Sequence, residues 1–353
     1  MAYELCNKLK NLTPYDPAEG IYRIRLDANE SFLPLPDEVL EKLPKALERV
    51  RFNRYPDPLA SELCFDFAQY YRVDPKSVTA GNGSDELLNI IANSFLQRGE
   101  TVLTLAPDFS MYGFYAELAE CRCVRMDKGE GFRIDPDAVI ERANQEHAAM
   151  VIFSNPCNPT SVLLDREAVR KIIRGVNGLV VLDEAYMDFA DASLIREADQ
   201  YDNLILLRTC SKAFGLAAIR LGFAVANPTL TRALQAAKSP YNVNSVTQAI
   251  GSAVLSEPEA ARRAIEQILI SRRSLYGMVR ALAEKYPGKI DVIEPQTNFV
   301  FARYEDSGEL FEFLKKNAMI VRRMGDYLRI TAGRNHENVE VTQKIGEFYA
   351  GRC

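Results

Sequence analysis

A lysine, small hydroxyl residues and an arginine follow directly after an apolar run in the stretch Arg208 to Gly222. The run, Leu204 to Leu207, has four branched apolar residues without polar alternation, which is typical of a buried strand. Lys212 therefore lies just past a buried strand end, where desolvation would lower the pKa of its amine. A neutral amine of this kind can join a carbonyl as a Schiff base.

Ser211 and Arg220 stand beside this lysine in the sequence. A hydroxyl donor and a forked cation together suit a phosphate. An amine nucleophile next to a phosphate-binding group is what a pyridoxal phosphate site requires. Taken alone, the stretch fits a surface Lys and Arg flanking a turn equally well, so other parts of the chain must decide.

Pyridoxal phosphate makes further demands on its site, and polar motifs elsewhere in the chain can meet them. Its pyridine nitrogen needs a carboxylate partner, and Asp183 at the end of a predicted buried strand is suited to this role. Asn158 and Tyr186 can donate to its phenolic oxygen, and Phe109, or Tyr112 as second choice, can stack on its ring. Each assignment has a plain alternative: Asp183 as a helix N-cap, Asn158 as a turn residue, the aromatics as core.

A glycine loop, Gly81 to Glu86, precedes a predicted helix that runs to about Gln97. Its two glycines let the backbone turn tightly, and a helix N-terminus is a ready anion site. We expect Ser84 to cap this helix, and we expect Ser84 and the backbone of Asp85 to bind the phosphate with Ser211 and Arg220. Mere capping is the alternative for this motif.

Apolar runs and helical patterns alternate along most of the chain. Strands are expected at 24–26, near 78, and at 101–105, 150–153, 179–182, 204–207 and 222–226, and helices at 37–49, 59–71 and 165–174. This rhythm predicts an α/β fold with a mostly parallel sheet flanked by helices. Beyond residue 250 the pattern changes to a helix at 257–285, strands at 298–303, 320–323 and 327–331, and helices at 309–316 and 336–350. We expect an N-terminal segment (1–35), a large domain (36–245) and a smaller α+β domain (246–353).

Composition excludes several classes of function. The 353 residues carry a net charge of -5 without a basic block, so a nucleic-acid partner is not expected. No apolar run approaches the roughly 18 residues of a membrane span, and the N-terminus lacks a signal-peptide core. The two histidines lie among polar residues, which argues against a Ser-His-Asp triad or a histidine-rich metal site. Seven scattered cysteines fit a reduced, cytoplasmic protein.

Several motifs, in order, resemble those of the fold-type I, aspartate-aminotransferase-like pyridoxal phosphate enzymes, most closely the histidinol-phosphate aminotransferases. They are Leu12 to Tyr15, Asp27 to Glu30, Asn53 to Asp57, Gly81 to Glu86, Asn155 to Thr160, Asp183 to Tyr186, Arg208 to Gly222 and Leu328 to Thr331. The resemblance covers nearly the whole chain. It implies a large domain with a seven-stranded type of sheet, pyridoxal phosphate as a Schiff base on Lys212, and transamination in two halves with Lys212 moving the proton.

The resemblance also implies partners and further site residues. It implies a homodimer in which Tyr55 reaches the cofactor phosphate of the neighbouring subunit, with Gly83 and Thr209 also at the cofactor. It implies that the substrate is contacted by Tyr15, Asn29, Arg322 and Arg329. The implied reaction converts histidinol phosphate and 2-oxoglutarate to imidazole-acetol phosphate and glutamate in histidine biosynthesis.

The chain departs from the family pattern at Cys157, where asparagine is usual, at Ser161, where glycine is usual, and at Phe109, which is often tyrosine. The loop 323–328 is also short compared with many family members, so the resemblance leaves the substrate specificity undecided. Threonine-phosphate decarboxylase and aromatic amino acid aminotransferase are alternative activities, and a cofactor-sensing regulator is a non-enzyme alternative. A Rossmann enzyme would need a third glycine after Gly81-Asn-Gly83, which is missing.

Overall fold

The computed structural model describes residues 3–10 and 20–352, and these form two β-sheets covered by helices. Tyr15, expected near the substrate, lies outside the described residues. The strands are β1 (Ile24–Leu26), β2 (Val78–Gly81), β3 (Thr101–Ala106), β4 (Arg122–Asp127), β5 (Ala148–Ser154), β6 (Leu179–Asp183), β7 (Leu204–Thr209), β8 (Gly222–Ala226), β9 (Ile290–Val292), β10 (Phe299–Tyr304), β11 (Met319–Met324) and β12 (Tyr327–Thr331). The α-helices are α1 (Asn7–Lys10), α2 (Asp37–Leu40), α3 (Leu43–Glu48), α4 (Ser61–Tyr71), α5 (Gly83–Phe95), α6 (Met111–Leu118), α7 (Pro136–Gln145), α8 (Arg166–Gly175), α9 (Pro228–Ala237), α10 (Ser245–Leu255), α11 (Pro258–Lys285), α12 (Ser307–Lys316) and α13 (Asn335–Ala350).

The larger sheet has seven strands in the order β2-β8-β7-β6-β5-β3-β4. The strands from β4 to β7 in this order run parallel to their neighbours, whereas β8 pairs antiparallel with both β7 and β2. The predicted mostly parallel sheet is confirmed. Because the parallel strands end at one edge, the loops that follow β3, β5, β6 and β7 meet there.

Both faces of this sheet are buried under helices. Val180 and Leu182 of β6 point into a core shared with α4, α7, α8 and α10. Val181, between them, points into a second core with α5, α6 and α9. A strand whose two faces are both covered gains from apolar residues at every position, which explains the unbroken apolar runs in the sequence.

The smaller sheet has five strands in the order β1-β11-β12-β10-β9. One face, with Val300 and Leu328, packs on α11, α12 and α13. The opposite face carries Phe299 and Phe301, which belong to the same hydrophobic core as Val180 and Leu182 of the larger sheet. β1 pairs in parallel with β11, so the first strand of the chain completes the C-terminal sheet. The limits of the domains at residues 35 and 245 stay a prediction.

Two local predictions were wrong. The helix expected at 37–49 is two helices, α2 and α3, because Pro44 at the start of α3 has no N–H to continue the preceding turn. Ser84 does not cap α5, since the helix already begins at Gly83 with Asn82 in the cap position. The edge strand β4 was not predicted; its charged residues Arg122, Arg125 and Asp127 are exposed, and the residues between them are more buried.

Candidate active site

Asp183 ends β6 and is almost completely buried, with 4% of its surface exposed. The backbone N–H of Ala185 donates to its Oδ1 at 3.0 Å, and the Tyr112 hydroxyl donates to its Oδ2 at 2.8 Å. No ion pair to Asp183 occurs among the described residues. Burial therefore dominates, and it raises the pKa of Asp183 to about 7 despite these two donors. A buried carboxylate without a cation fits the protonated ring nitrogen of pyridoxal phosphate.

Tyr112 has a different role from the one considered for it. Its hydroxyl is committed to Asp183, and its ring meets the ring of Phe109 edge-on, with centroids 5.6 Å apart. Phe109, in the loop after β3, is half-buried and remains available to cover a bound ring. The hydrogen bond between Tyr112 and Asp183 was missed by the sequence analysis because it depends on how α6 lies over the sheet.

Lys212 follows β7, the neighbour of β6, and is half-buried. Its Nζ donates to the carbonyl oxygen of Ala28 at 2.8 Å. Burial lowers the pKa of this amine to about 8, and the positive charge of Arg329 adds to the effect. The amine is therefore easier to deprotonate than an ordinary lysine, as a carbonyl-binding nucleophile requires.

The N-terminus of α5 forms a narrow cradle with β8 and Arg220. Gly83 has a φ of +78°, and a Cβ on it would lie 2.8 Å from Arg220 Nη2. A Cβ on Gly222 would lie 2.5 Å from both the carbonyl carbon of Gly83 and the nitrogen of Ser84. At Gly222 only glycine permits this close approach to the backbone, and at Gly83 the positive φ favours glycine. The result is a set of helix N-terminal amides facing a guanidinium, which is suited to a phosphate.

Side chains from the loop after β7 complete the cradle. Arg220 Nη1 donates to Ser211 Oγ at 3.3 Å, and Arg220 Nη2 lies 3.8 Å from Asp85 Oδ2. The hydroxyl of Thr209 accepts from the N–H of Ser211 at 3.2 Å and so shapes this turn. Arg220 itself has a φ of 53°, a conformation that costs free energy outside glycine. The structure thus brings Ser211 and Arg220 together as expected for an anion site; the Asp85 side chain also lies near the guanidinium, whereas only the backbone of Asp85 was assigned to the phosphate.

The smaller sheet and the loop after β1 close the opposite side of the site. The Asn29 amide donates to the Tyr186 hydroxyl at 2.8 Å. Arg329 on β12 donates through Nη1 to Asn158 Oδ1 at 2.6 Å and through Nη2 to the Asp27 carbonyl at 2.6 Å. The predicted cofactor residues Asn158 and Tyr186 are therefore held by the predicted substrate residues Arg329 and Asn29.

Arg322 lies directly opposite Arg329 in the antiparallel pair of β11 and β12, so both side chains leave the same face of the sheet. Within the described part of the chain, no hydrogen bond or ion pair to the Arg322 side chain occurs. The residue lines a cavity of about 400 Å³ with Asp27 and Ile320. This arrangement leaves a cation available for an anionic group.

A buried ion-pair network fixes the strands behind the site and was missed by the sequence analysis. Arg208 at the end of β7 lies 2.9 Å from Glu184 Oε2 and donates to Asp188 Oδ1 at 2.9 Å. Its guanidinium also lies over the Tyr71 ring, 4.9 Å from the centroid. Since Glu184 follows Asp183 directly, this network joins the two strand ends that carry Asp183 and Lys212.

Tyr55 is 81% exposed, and its ring stacks on Tyr241 with centroids 4.6 Å apart. Tyr55 also borders a cavity of about 730 Å³, whose lining includes Arg54 and Gln248. Its expected contact with a neighbouring subunit stays a prediction. Of the helices within residues 3–10 and 20–352, none combines the length and apolar character needed to cross a membrane.

Comparison with known proteins places this geometry in a family. Residues 23–344 match the family model described as aminotransferase class I and II. Two curated histidinol-phosphate aminotransferases are similar to the chain: that of Clostridium kluyveri is 40% identical over 96% of this chain and 97% of its own, and that of Clostridium novyi is 41% identical over 99% of both. The crystal structure of histidinol-phosphate aminotransferase from Sinorhizobium meliloti in complex with pyridoxal-5'-phosphate superposes with a TM-score of 0.89 at 21% identity, covering 100% of this chain and 99% of that one. The chain belongs to the aminotransferase class I and II family.

Proposed function

We propose that this protein is a pyridoxal phosphate-dependent aminotransferase that takes the amine of histidinol phosphate and passes it to 2-oxoglutarate. The observation that carries the proposal is the placement of Asp183 at the end of β6 and of Lys212 three residues past the end of the neighbouring strand β7. The first is an amine whose pKa is lowered to about 8, and the second is a buried carboxylate whose pKa is raised to about 7. The two full-length relatives at 40% and 41% identity support the substrate.

The residues present fit pyridoxal phosphate, which supplies an electron sink for the carbanion at substrate Cα when bound. Asp183 would hold the ring nitrogen, Phe109 would cover the ring, and Asn158 and Tyr186 would face its phenolic oxygen. The cradle at the start of α5 would hold the phosphate. Lys212, neutral once released, would remove the proton from substrate Cα.

Two guanidinium groups support a phosphate-bearing substrate. Arg322 and Arg329 leave the same face of the smaller sheet, and Arg329 already reaches Asn158 at 2.6 Å. A dianionic phosphate is suited to two forked cations. A substrate phosphate held by Arg329 would lie beside Asn158, which would face the cofactor ring.

A homodimer is part of this proposal, with Tyr55 acting on the neighbouring site. The support is that three large aromatic side chains within residues 52–65 are exposed: Phe52 at 83%, Tyr55 at 81% and Phe65 at 51%. Large exposed apolar side chains in one region are typical of an interface.

A half-reaction panel tests the substrate. The purified protein, loaded with pyridoxal phosphate, is mixed separately with histidinol phosphate, phenylalanine and threonine phosphate, and the visible absorbance of the cofactor is followed. We expect histidinol phosphate to change the spectrum fastest, without release of carbon dioxide, and Lys212→Ala to lower turnover by roughly 10³-fold or more. Carbon dioxide release from threonine phosphate, or full turnover by Lys212→Ala, would contradict the proposal.

Mixing two inactive variants tests the shared site. Tyr55→Ala and Lys212→Ala chains are combined, allowed to exchange subunits and assayed. A mixed dimer would have one site with both residues intact, so we expect activity above that of either variant alone. No recovery, with exchange verified by mass, would place Tyr55 outside the neighbouring site.

A further inference from the structure

A buried polar cluster lies behind the cofactor-facing loops and has no role in the function described so far. It consists of Asp108, Lys128, Ser154 and Cys157, and we call it the edge cluster. These residues follow or end β3, β4 and β5, which are neighbours in the order β5-β3-β4. The side chains of Lys128 and Asp108 are only 1% and 2% exposed.

The ammonium group of Lys128 is fully hydrogen-bonded within this cluster. Its Nζ donates to the Pro107 carbonyl at 2.6 Å, to Cys157 Sγ at 2.9 Å and to Asp108 Oδ2 at 3.4 Å. Burial opposes the charge, but Asp108 and Cys157 outweigh it and raise the pKa of Lys128. Each of the three N–H donors of the ammonium group therefore has an acceptor, and Lys128 keeps its positive charge in the protein interior.

The Asp108 carboxylate connects two loops that face the cofactor. Its Oδ1 accepts from the backbone N–H of Phe109 at 2.8 Å and from the Ser154 hydroxyl. The same Ser154 oxygen accepts from the backbone N–H of Asn158 at 3.1 Å. One carboxylate thus links the backbone of the ring-covering Phe109 to that of Asn158, through a single intervening hydroxyl.

We propose that Asp108, held in place by Lys128 and Cys157, is a positioning residue that fixes the separation of Phe109 and Asn158 and thereby the slot that receives the cofactor ring. This rests on the proposed function, because the slot is defined by pyridoxal phosphate. A buried ion pair adds little to stability compared with apolar residues of the same size. Its hydrogen bonds to the two loops give it a geometric role instead.

Two neutral double variants test this role without leaving a buried unpaired charge. In the first, Lys128→Met is combined with Asp108→Asn, whose amide oxygen can still accept from Phe109 and Ser154. In the second, Lys128→Met is combined with Asp108→Ala, which cannot accept. Lys171→Met serves as control, because Lys171 also pairs with an aspartate, Asp137, but on the surface. Pyridoxal phosphate affinity is measured by titrating the cofactor-free protein, and thermal unfolding of each variant is recorded without cofactor.

We expect the Asn double variant and Lys171→Met to bind the cofactor within about twofold of the original protein, and the Ala double variant to bind about tenfold more weakly or worse. The Ala double variant should also unfold at a lower temperature, because the Phe109 N–H and the Ser154 hydroxyl lose their buried acceptor; a purely structural role would lower this temperature without changing the affinity for the cofactor. Equal affinities of the two double variants would overturn the role of Asp108. Failure of the unaltered protein to bind pyridoxal phosphate would instead overturn the proposed function.

Discussion

Replacing Asp183 by asparagine should stabilise the cofactor-free protein while weakening its hold on the cofactor. Burial raises the pKa of Asp183 from 3.8 to about 7. Between these values the folded protein keeps a proton that the unfolded chain has lost, so the contribution of Asp183 to stability falls as pH rises. Since one pKa unit corresponds to about 1.4 kcal/mol, the ionised carboxylate costs the fold roughly 4 kcal/mol above pH 7.

Asparagine cannot ionise, so the Asp183→Asn variant escapes this cost. Urea unfolding of both cofactor-free proteins at pH 5 and pH 8 measures the difference. We expect the stability of the variant relative to the original protein to rise by about 3 kcal/mol over this range, because part of the cost is already present at pH 5.

Bound cofactor should favour the original protein over the variant, because a cationic ring nitrogen can pair with the ionised carboxylate of Asp183 but not with asparagine. The variant should therefore bind pyridoxal phosphate more weakly and lose nearly all turnover. Asp191→Asn is the control, since the Asp191 side chain is 97% exposed and its replacement should leave the pH dependence unchanged. A relative stability of Asp183→Asn that does not change with pH would refute the assignment of Asp183 as a buried carboxylate awaiting a cation.

Three further outcomes are expected. Tyr112→Phe removes the donor at 2.8 Å from Asp183, so cofactor affinity should fall roughly 10- to 100-fold in a titration, corresponding to the about 1.5–3 kcal/mol of a hydrogen bond to a charged group. Gly222→Ala places a Cβ 2.5 Å from the backbone of Gly83, and we expect a loss of about 1–3 kcal/mol in unfolding together with weaker cofactor binding. Gly277→Ala, in open space on α11, should cause neither change. The rate at which cofactor-free protein takes up pyridoxal phosphate should rise with pH through about 8, because the neutral Lys212 amine is the reactive form; a rate that is flat from pH 7 to pH 9 would contradict this.

The parts of the site that are local in sequence could be predicted, and the parts that depend on sheet order could not. Continuous apolar runs gave β6 and β7, so Asp183 and Lys212 were expected at strand ends. The link from Asp108 to Lys128 joins residues 20 positions apart, and it forms only because β3 and β4 are neighbours. Nothing in the spacing of residues along the chain specifies that order. The cap of α5 was also misjudged, because Gly83 already belongs to the helix and Asn82 takes the cap position.

The pairing of β1 with β11 has a consequence for how the protein is made. In the register of this pair Ile24 lies beside Met319, so β1 can pair with β11 only after almost the entire chain has left the ribosome. The carbonyls of Asp27 and Ala28, which accept from Arg329 and Lys212, follow this strand. The part of the large sheet from β3 to β8 can assemble during synthesis from strands that are near one another in sequence, whereas the pairing of β2 with β8 and that of β1 with β11 require long-range closure. A chain truncated before β11 would therefore still place Lys212 after β7, but it would lack the strands of the smaller sheet that form the opposite side of the site.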